Sequence, residues 1–130
     1  MTMELTLLGW TLVLALAQIL LVTLLRLKEA GLAYNMSPRD VPGAPTGKIT
    51  ARLIRAQANL FETLPLFAAA VLIAHAMGRE SNITLLGTQL YLGARIVYVP
   101  IYAAGICVVR TLTWTVSIVG LVMIFSAILR

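Results

Sequence analysis

The chain is 130 residues long, 60% apolar and only 12% charged, with ten Lys and Arg against five Asp and Glu. That balance excludes an ordinary soluble domain and leaves room for little beyond membrane helices, since a hydrocarbon core of about 30 Å takes about 20 apolar residues per crossing. The basic excess gathers at the ends of apolar runs, which argues for membrane topology or an anionic ligand and against nucleic acid as a partner.

The first apolar run, Leu5 to Leu25, is long enough to span and stops at Arg26 and Lys28. Ala15-Leu16-Ala17 imitates a signal cleavage site. Met1 to Glu4 carries no basic residue, however, and the apolar run continues too far past that site, so the helix reads as retained. Residues from 26 to about 49 then form the one substantial loop, rich in turn formers: Asn35, Ser37-Pro38, Pro42-Gly43 and Pro45-Thr46-Gly47.

A second helix is expected over about 50–77, with Arg52, Arg55, Asn59 and Glu62 in its first turns and a kink at Pro65. Ala68, Ala69, Ala70 and Ala74 offer small surfaces for close packing. The turn Gly78 to Asn82 leads to a third helix over about 83–109, which contains Pro100. Arg110 marks the next turn, and a fourth helix follows over about 112–129. No alternating strand pattern supports a closed β-barrel. The expected fold is a single all-α membrane domain over residues 1–130, a bundle of four transmembrane helices.

Basic residues orient it. The first connection holds Arg26, Lys28, Arg39, Lys48, Arg52 and Arg55, and the third holds Arg110, against Arg79 and Arg130 on the other side. The long loop and Arg110 are therefore expected in the cytoplasm and both termini outside it. A compact chain without a retention signal suits a bacterial inner membrane. Cys107 is the single cysteine, so no intrachain disulfide forms. The lone His75 reads as a packed or interfacial residue, and no metal site is expected.

Two polar stripes carry the chemistry. Arg55, Asn59 and Glu62 recur at i, i+4 and i+7 on one face of the second helix. Such residues at bilayer depth are functional candidates, the alternative being an interfacial Arg55 and a Glu62 that simply pairs within the bundle. Tyr91, Arg95, Tyr98 and Tyr102 line one face of the third helix over about 16 Å, longer than an interfacial aromatic belt is deep. Arg95 is mid-helix, where an unpaired charge costs at least ~2.5 kcal/mol, and Glu62 is its nearest acidic partner. Arg110 is by itself an ordinary topogenic arginine. With Arg55 and Arg95 it would hold a small anion beside the tyrosine hydroxyls, next to a lipid-facing apolar wall.

Arg55-Ala56-Gln57-Ala58-Asn59-Leu60-Phe61-Glu62 followed by Pro65, and Ala94-Arg95-Ile96-Val97-Tyr98 with Tyr102 and Arg110, resemble the signature of the MAPEG family, membrane-associated proteins in eicosanoid and glutathione metabolism. Within it the likeness is to microsomal glutathione transferase and leukotriene synthase members. The resemblance implies a homotrimer that binds glutathione as co-substrate between neighbouring subunits near the cytoplasmic face. It implies glutathione contacts from Arg55, Asn59, Glu62, Arg95, Tyr98 and Tyr102, with Glu62 meeting the ammonium and Gln57 assisting. Arg110 matches the family arginine that stabilises the thiolate. Ala58 stands where prostaglandin E synthase-like members carry arginine, and Tyr98 where they carry histidine, which argues against that specific role. Trp114 stands near a tyrosine of some members.

The function implied is a glutathione-dependent transferase or peroxidase acting on a lipophilic electrophile. The alternative is a non-catalytic lipid-binding or scaffold member of the same family. A small multidrug exporter has the right length but needs an acidic residue in its first span, and Leu5 to Leu25 contains none.

Overall fold

The computed structural model describes residues 2–38 and 46–130. They form four long helices and one single-turn helix: α1 (Met3–Ala30), α2 (Leu32–Asn35), α3 (Lys48–Ala76), α4 (Asn82–Ala104) and α5 (Cys107–Ile128). Arg39, Asp40, Pro42, Gly43 and Pro45 of the expected loop lie outside the described residues.

α1 is longer at its C-terminal end than its apolar run. Arg26 and Glu29 pair at i, i+3 (3.0 Å), and Glu29 Oε2 accepts from Gly47 N (3.2 Å) and Thr50 Oγ1 (2.8 Å). The charged turn that was expected to open the loop instead stays helical and caps the start of α3. Gly31, at φ 89°, then ends the helix.

The expected break near Arg110 falls earlier. Gly105 adopts a left-handed conformation at φ 77°, its amide donating to carbonyls of the last α4 turn. Arg52 Nη1 donates to Ala103 O (3.1 Å), so a guanidinium satisfies a carbonyl at that helix end. α5 begins at Cys107, which puts Arg110 inside its first turns rather than between helices. α3 and α4 run on through Pro65 and Pro100 as single helices.

The helices pack side by side. α1 lies against α3 and α4, and α3 and α5 both lie against α4. Among the described residues no Cα of α1 comes within 8 Å of one in α5. The closest approach is between α4 and α5, where a Cβ on Gly120 would stand 2.5 Å from the Gly87 carbonyl oxygen. The core joins Leu8 and Ala15 of α1, Leu60, Leu64, Phe67, Ala70, Val71 and Ala74 of α3, Tyr91 of α4 and Leu121, Ile124 and Ile128 of α5. Of the small residues expected to pack, Ala70 and Ala74 are buried and Ala69 is exposed. Buried Thr11 and Thr88 donate to carbonyls four residues back, which disposes of their hydroxyls within their own helices.

Trp10, Leu12, Leu16, Leu20, Leu24, Leu72 and Val122 are among many large apolar side chains on the outside, the arrangement lipid requires and water penalises. By length and composition α1, α3 and α5 can each cross a membrane. α4 falls short of that composition because its inward face carries Thr84, Thr88, Tyr91, Arg95 and Tyr98, all buried. It still runs the length of the bundle. At its start Arg79 Nη1 donates to Ile128 O at the end of α5 (2.9 Å), and at its finish Ala103 meets Arg52.

These contacts gather Arg26, Lys28, Lys48, Arg52, Arg55 and Arg110 at one end of the bundle, with Arg79 and Arg130 at the other. His75 is exposed at that second end, its Nδ1 3.2 Å from Glu80 Oε1.

Candidate functional site

The inward faces of α3 and α4 meet around Arg95. Arg95 is 1% exposed, and its guanidinium donates from Nη1 to Asn59 Oδ1 (2.8 Å) and from Nη2 to Thr63 Oγ1 (3.1 Å). Thr63 Oγ1 shares a further hydrogen bond with the Tyr91 hydroxyl (2.8 Å). Two rings flank the cation, with Cζ 5.5 Å from the Tyr91 centroid and 5.1 Å from that of Tyr98, where the negative ring faces attract it.

Glu62, the expected partner of Arg95, does not meet it directly. Arg95 makes no ion pair with it, and Glu62 is exposed. At about 100° per residue, Glu62 lies about 60° around the helix from Asn59 and about 100° from Thr63, off the face that meets α4. Neutral oxygens and aromatic faces make the direct contacts with this charge, and the Glu62 carboxylate acts on it only at longer range. Thr63 was missed, although it extends the spacing of Arg55 and Asn59 by one more turn.

Towards the basic end the tyrosine stripe opens into a cleft of about 230 Å³ lined by Asn59, Tyr98, Tyr102, Arg110, Thr111 and Trp114. Tyr98 and Tyr102 meet edge to face, with centroids 5.5 Å apart. Arg110 Cζ stands 4.7 Å from the Tyr102 centroid and Arg55 Cζ 5.9 Å from it, so both cations contact one ring. Arg110 lies in the opening turns of α5, whose unpaired amides add positive potential of their own. A thiol, carboxyl or peroxide that gains negative charge here would be stabilised by both.

Of the residues singled out by sequence, Asn59, Tyr98, Tyr102 and Arg110 line the cleft, Arg55 borders it through Tyr102, and Arg95 lies behind Asn59 and Tyr98. Gln57 and Glu62 do not line it within one chain. Thr111 and Trp114 do, both following from the turn falling at Gly105 and not near Arg110.

A second, apolar groove of about 290 Å³ runs along α5 past Trp114, Thr115, Ile118, Val119, Val122, Met123 and Ser126. Trp114 belongs to both. The groove is a surface suited to a hydrocarbon chain.

Fold and cleft together define a helical membrane protein with a cationic, tyrosine-lined cleft at one end of its bundle. The chain belongs to the MAPEG family, whose model matches residues 5–130. That family is membrane-bound and includes glutathione transferases and related members. No curated protein and no solved structure matches the chain.

Proposed function

We propose that this protein is a glutathione-dependent membrane transferase or peroxidase, working as a homotrimer of four-span subunits. The observation that carries the reading is Trp114, shared between the cleft that holds Arg110 and the apolar groove along α5. A water-soluble anion and a lipophilic electrophile can meet there.

In the proposed reaction the glutathione thiol gives its proton to solvent, and Arg110 stabilises the thiolate. A free thiol has a pKa near 8.5, and each unit of lowering requires about 1.4 kcal/mol, which a guanidinium beside a helix N-terminus supplies. In conjugation the sulfur attacks an electrophilic carbon, a C–S bond forms, and the bonding pair departs with the leaving group or opens a strained ring. In peroxide reduction the sulfur attacks the outer oxygen, the O–O bond breaks and the alkoxide takes a proton and leaves as an alcohol; a second glutathione then attacks the sulfenic sulfur, forming the disulfide as the sulfenic oxygen leaves as water.

Two features support a site completed by a neighbouring subunit. The cleft in one chain is smaller than the roughly 300–1,000 Å³ of typical ligand sites. Arg55 and Glu62 are exposed on a helix that can span the membrane, and charges at that depth are costly against lipid. In this reading Glu62 meets the glutathione ammonium, Arg55 a carboxylate, and Gln57 assists from the same helix. The basic end faces the cytoplasm of a bacterial cell and both termini face away from it.

The groove along α5 also favours a second reading, a non-catalytic lipid-binding member of the family. Cross-linking of the detergent-purified protein, with glutathione titration and an electrophile panel, separates the two. Trimers that bind and conjugate glutathione support the enzyme. Lipid binding with no glutathione binding supports the alternative.

A further inference from the structure

Among the described residues two buried side-chain atoms have no hydrogen-bond partner: Arg95 Nε, a donor, and Gln18 Oε1, an acceptor. Unpaired groups of this kind are rare inside proteins and call for an explanation.

The two residues lie at the same level along the bundle. Glu29 of α1 meets Thr50 of α3. Eleven residues back along α1 from Glu29 is Gln18, and ten residues on from Thr50 is Leu60. The two steps cover about 15–17 Å at 1.5 Å per residue. Asn59 and Thr63, which hold Arg95, flank Leu60. Gln18 is 5% exposed and lies on the inward stripe of α1 with Leu8, Thr11 and Ala15. Ala15, one turn away, packs in one cluster with Leu60, Leu64 and Tyr91.

We infer that one buried water joins Gln18 to Arg95, donating to Gln18 Oε1 and accepting from Arg95 Nε–H. Two protein partners are the fewest that hold a buried water. The link makes Gln18 a positioning residue for the guanidinium. Asn59 and Thr63 fix Nη1 and Nη2 from the α3 side, and Gln18 fixes Nε from α1. Arg95 in turn orients Asn59 and Tyr98, which line the cleft. The consequence for glutathione rests on the proposed function, whereas the water link does not.

The test uses the full chain in detergent micelles, isotopically labelled at arginine nitrogen. The Arg95 Nε–H signal, identified by its loss in Arg95→Lys, is expected to show a cross-peak to water in the wild type and in Gln18→Glu, which keeps an acceptor at the same reach. Gln18→Met, unbranched and of similar volume, is expected to lose that cross-peak and shift the signal. In a protein that binds glutathione, Gln18→Met is expected to weaken binding about tenfold, the usual cost of one hydrogen bond to a charged group.

A wild type that shows the water cross-peak but binds no glutathione supports the link and overturns the functional reading alone. An Nε–H signal without a water cross-peak in the wild type overturns the link, and that comparison stands even if Gln18→Met does not fold. A signal left unmoved by Gln18→Met also overturns it.

Discussion

The guanidinium of Arg110 sits over the ring of Tyr102, 4.7 Å from its centroid, although the two residues belong to different helices separated by a left-handed glycine. The contact depends on where α4 stops. Gly105 ends it one residue after Ala104, and a Cβ there would meet the Arg52 guanidinium at 2.8 Å. Arg52 and Gly105 thus set the corner from which α5 carries Arg110 back over the tyrosine stripe.

The hydrogen bonds of Arg95 predict an unequal response on α3. Asn59→Ala leaves a buried cation short of an acceptor, and the unfolding free energy is expected to fall by about 1.5–3 kcal/mol. Glu62→Gln removes no bond to Arg95, so unfolding without ligand is expected to change by about 0.5 kcal/mol or less. Glutathione binding should weaken in Glu62→Gln all the same. Denaturant titration in detergent, beside ligand titration, checks both.

The contact between Gly87 and Gly120 predicts strict size selection. Gly120→Ala would drive a Cβ against the Gly87 carbonyl and within 3.0 Å of Tyr91 N, both backbone atoms that cannot yield alone. A loss of about 1–3 kcal/mol is expected. Gly93→Ala has open space and is expected to be neutral or mildly stabilising. Thermal unfolding of the two variants makes the comparison.

At the opposite end Glu80 predicts a dependence on acid. Burial works to raise its pKa, but hydrogen bonds to Thr2 Oγ1 (2.8 Å) and His75 Nδ1 (3.2 Å) outweigh this and hold the carboxyl below its ordinary value. A depressed folded pKa contributes stability that is present above the ordinary carboxylate value and is lost as pH falls through the lowered one. Thermal unfolding on acidification should therefore decline more steeply for the wild type than for Glu80→Gln.

Much of the bundle was legible in the sequence because apolar length and 3.6-residue spacing report directly on helices and their inward faces. The stripe Tyr91, Arg95, Tyr98 and Tyr102 turned inward as its spacing required. Less legible were helix ends. Arg26 to Glu29 look like a loop by polarity, yet remain helical through contacts with Gly47 and Thr50, about twenty residues away in sequence. The partner of Arg95 was missed for a related reason. Charge complementarity pointed to Glu62, but the rotation of α3 against α4, which no single helix encodes, turned Asn59 and Thr63 to the arginine. The family signature added what spacing alone does not supply, a reason to treat Arg110 as more than a topogenic charge.

If Arg110 holds a glutathione thiolate, thiolate absorbance reports it. Glutathione added to folded wild type near neutral pH is expected to show a thiolate band that is absent in free glutathione, and to react with a generic electrophile. Arg110→Ala is expected to lose the band and react at least about tenfold more slowly, the effect of one pKa unit or more. Equal thiolate yields in the two proteins, or equal inactivity in both while each remains folded, would show that Arg110 does not hold the thiolate.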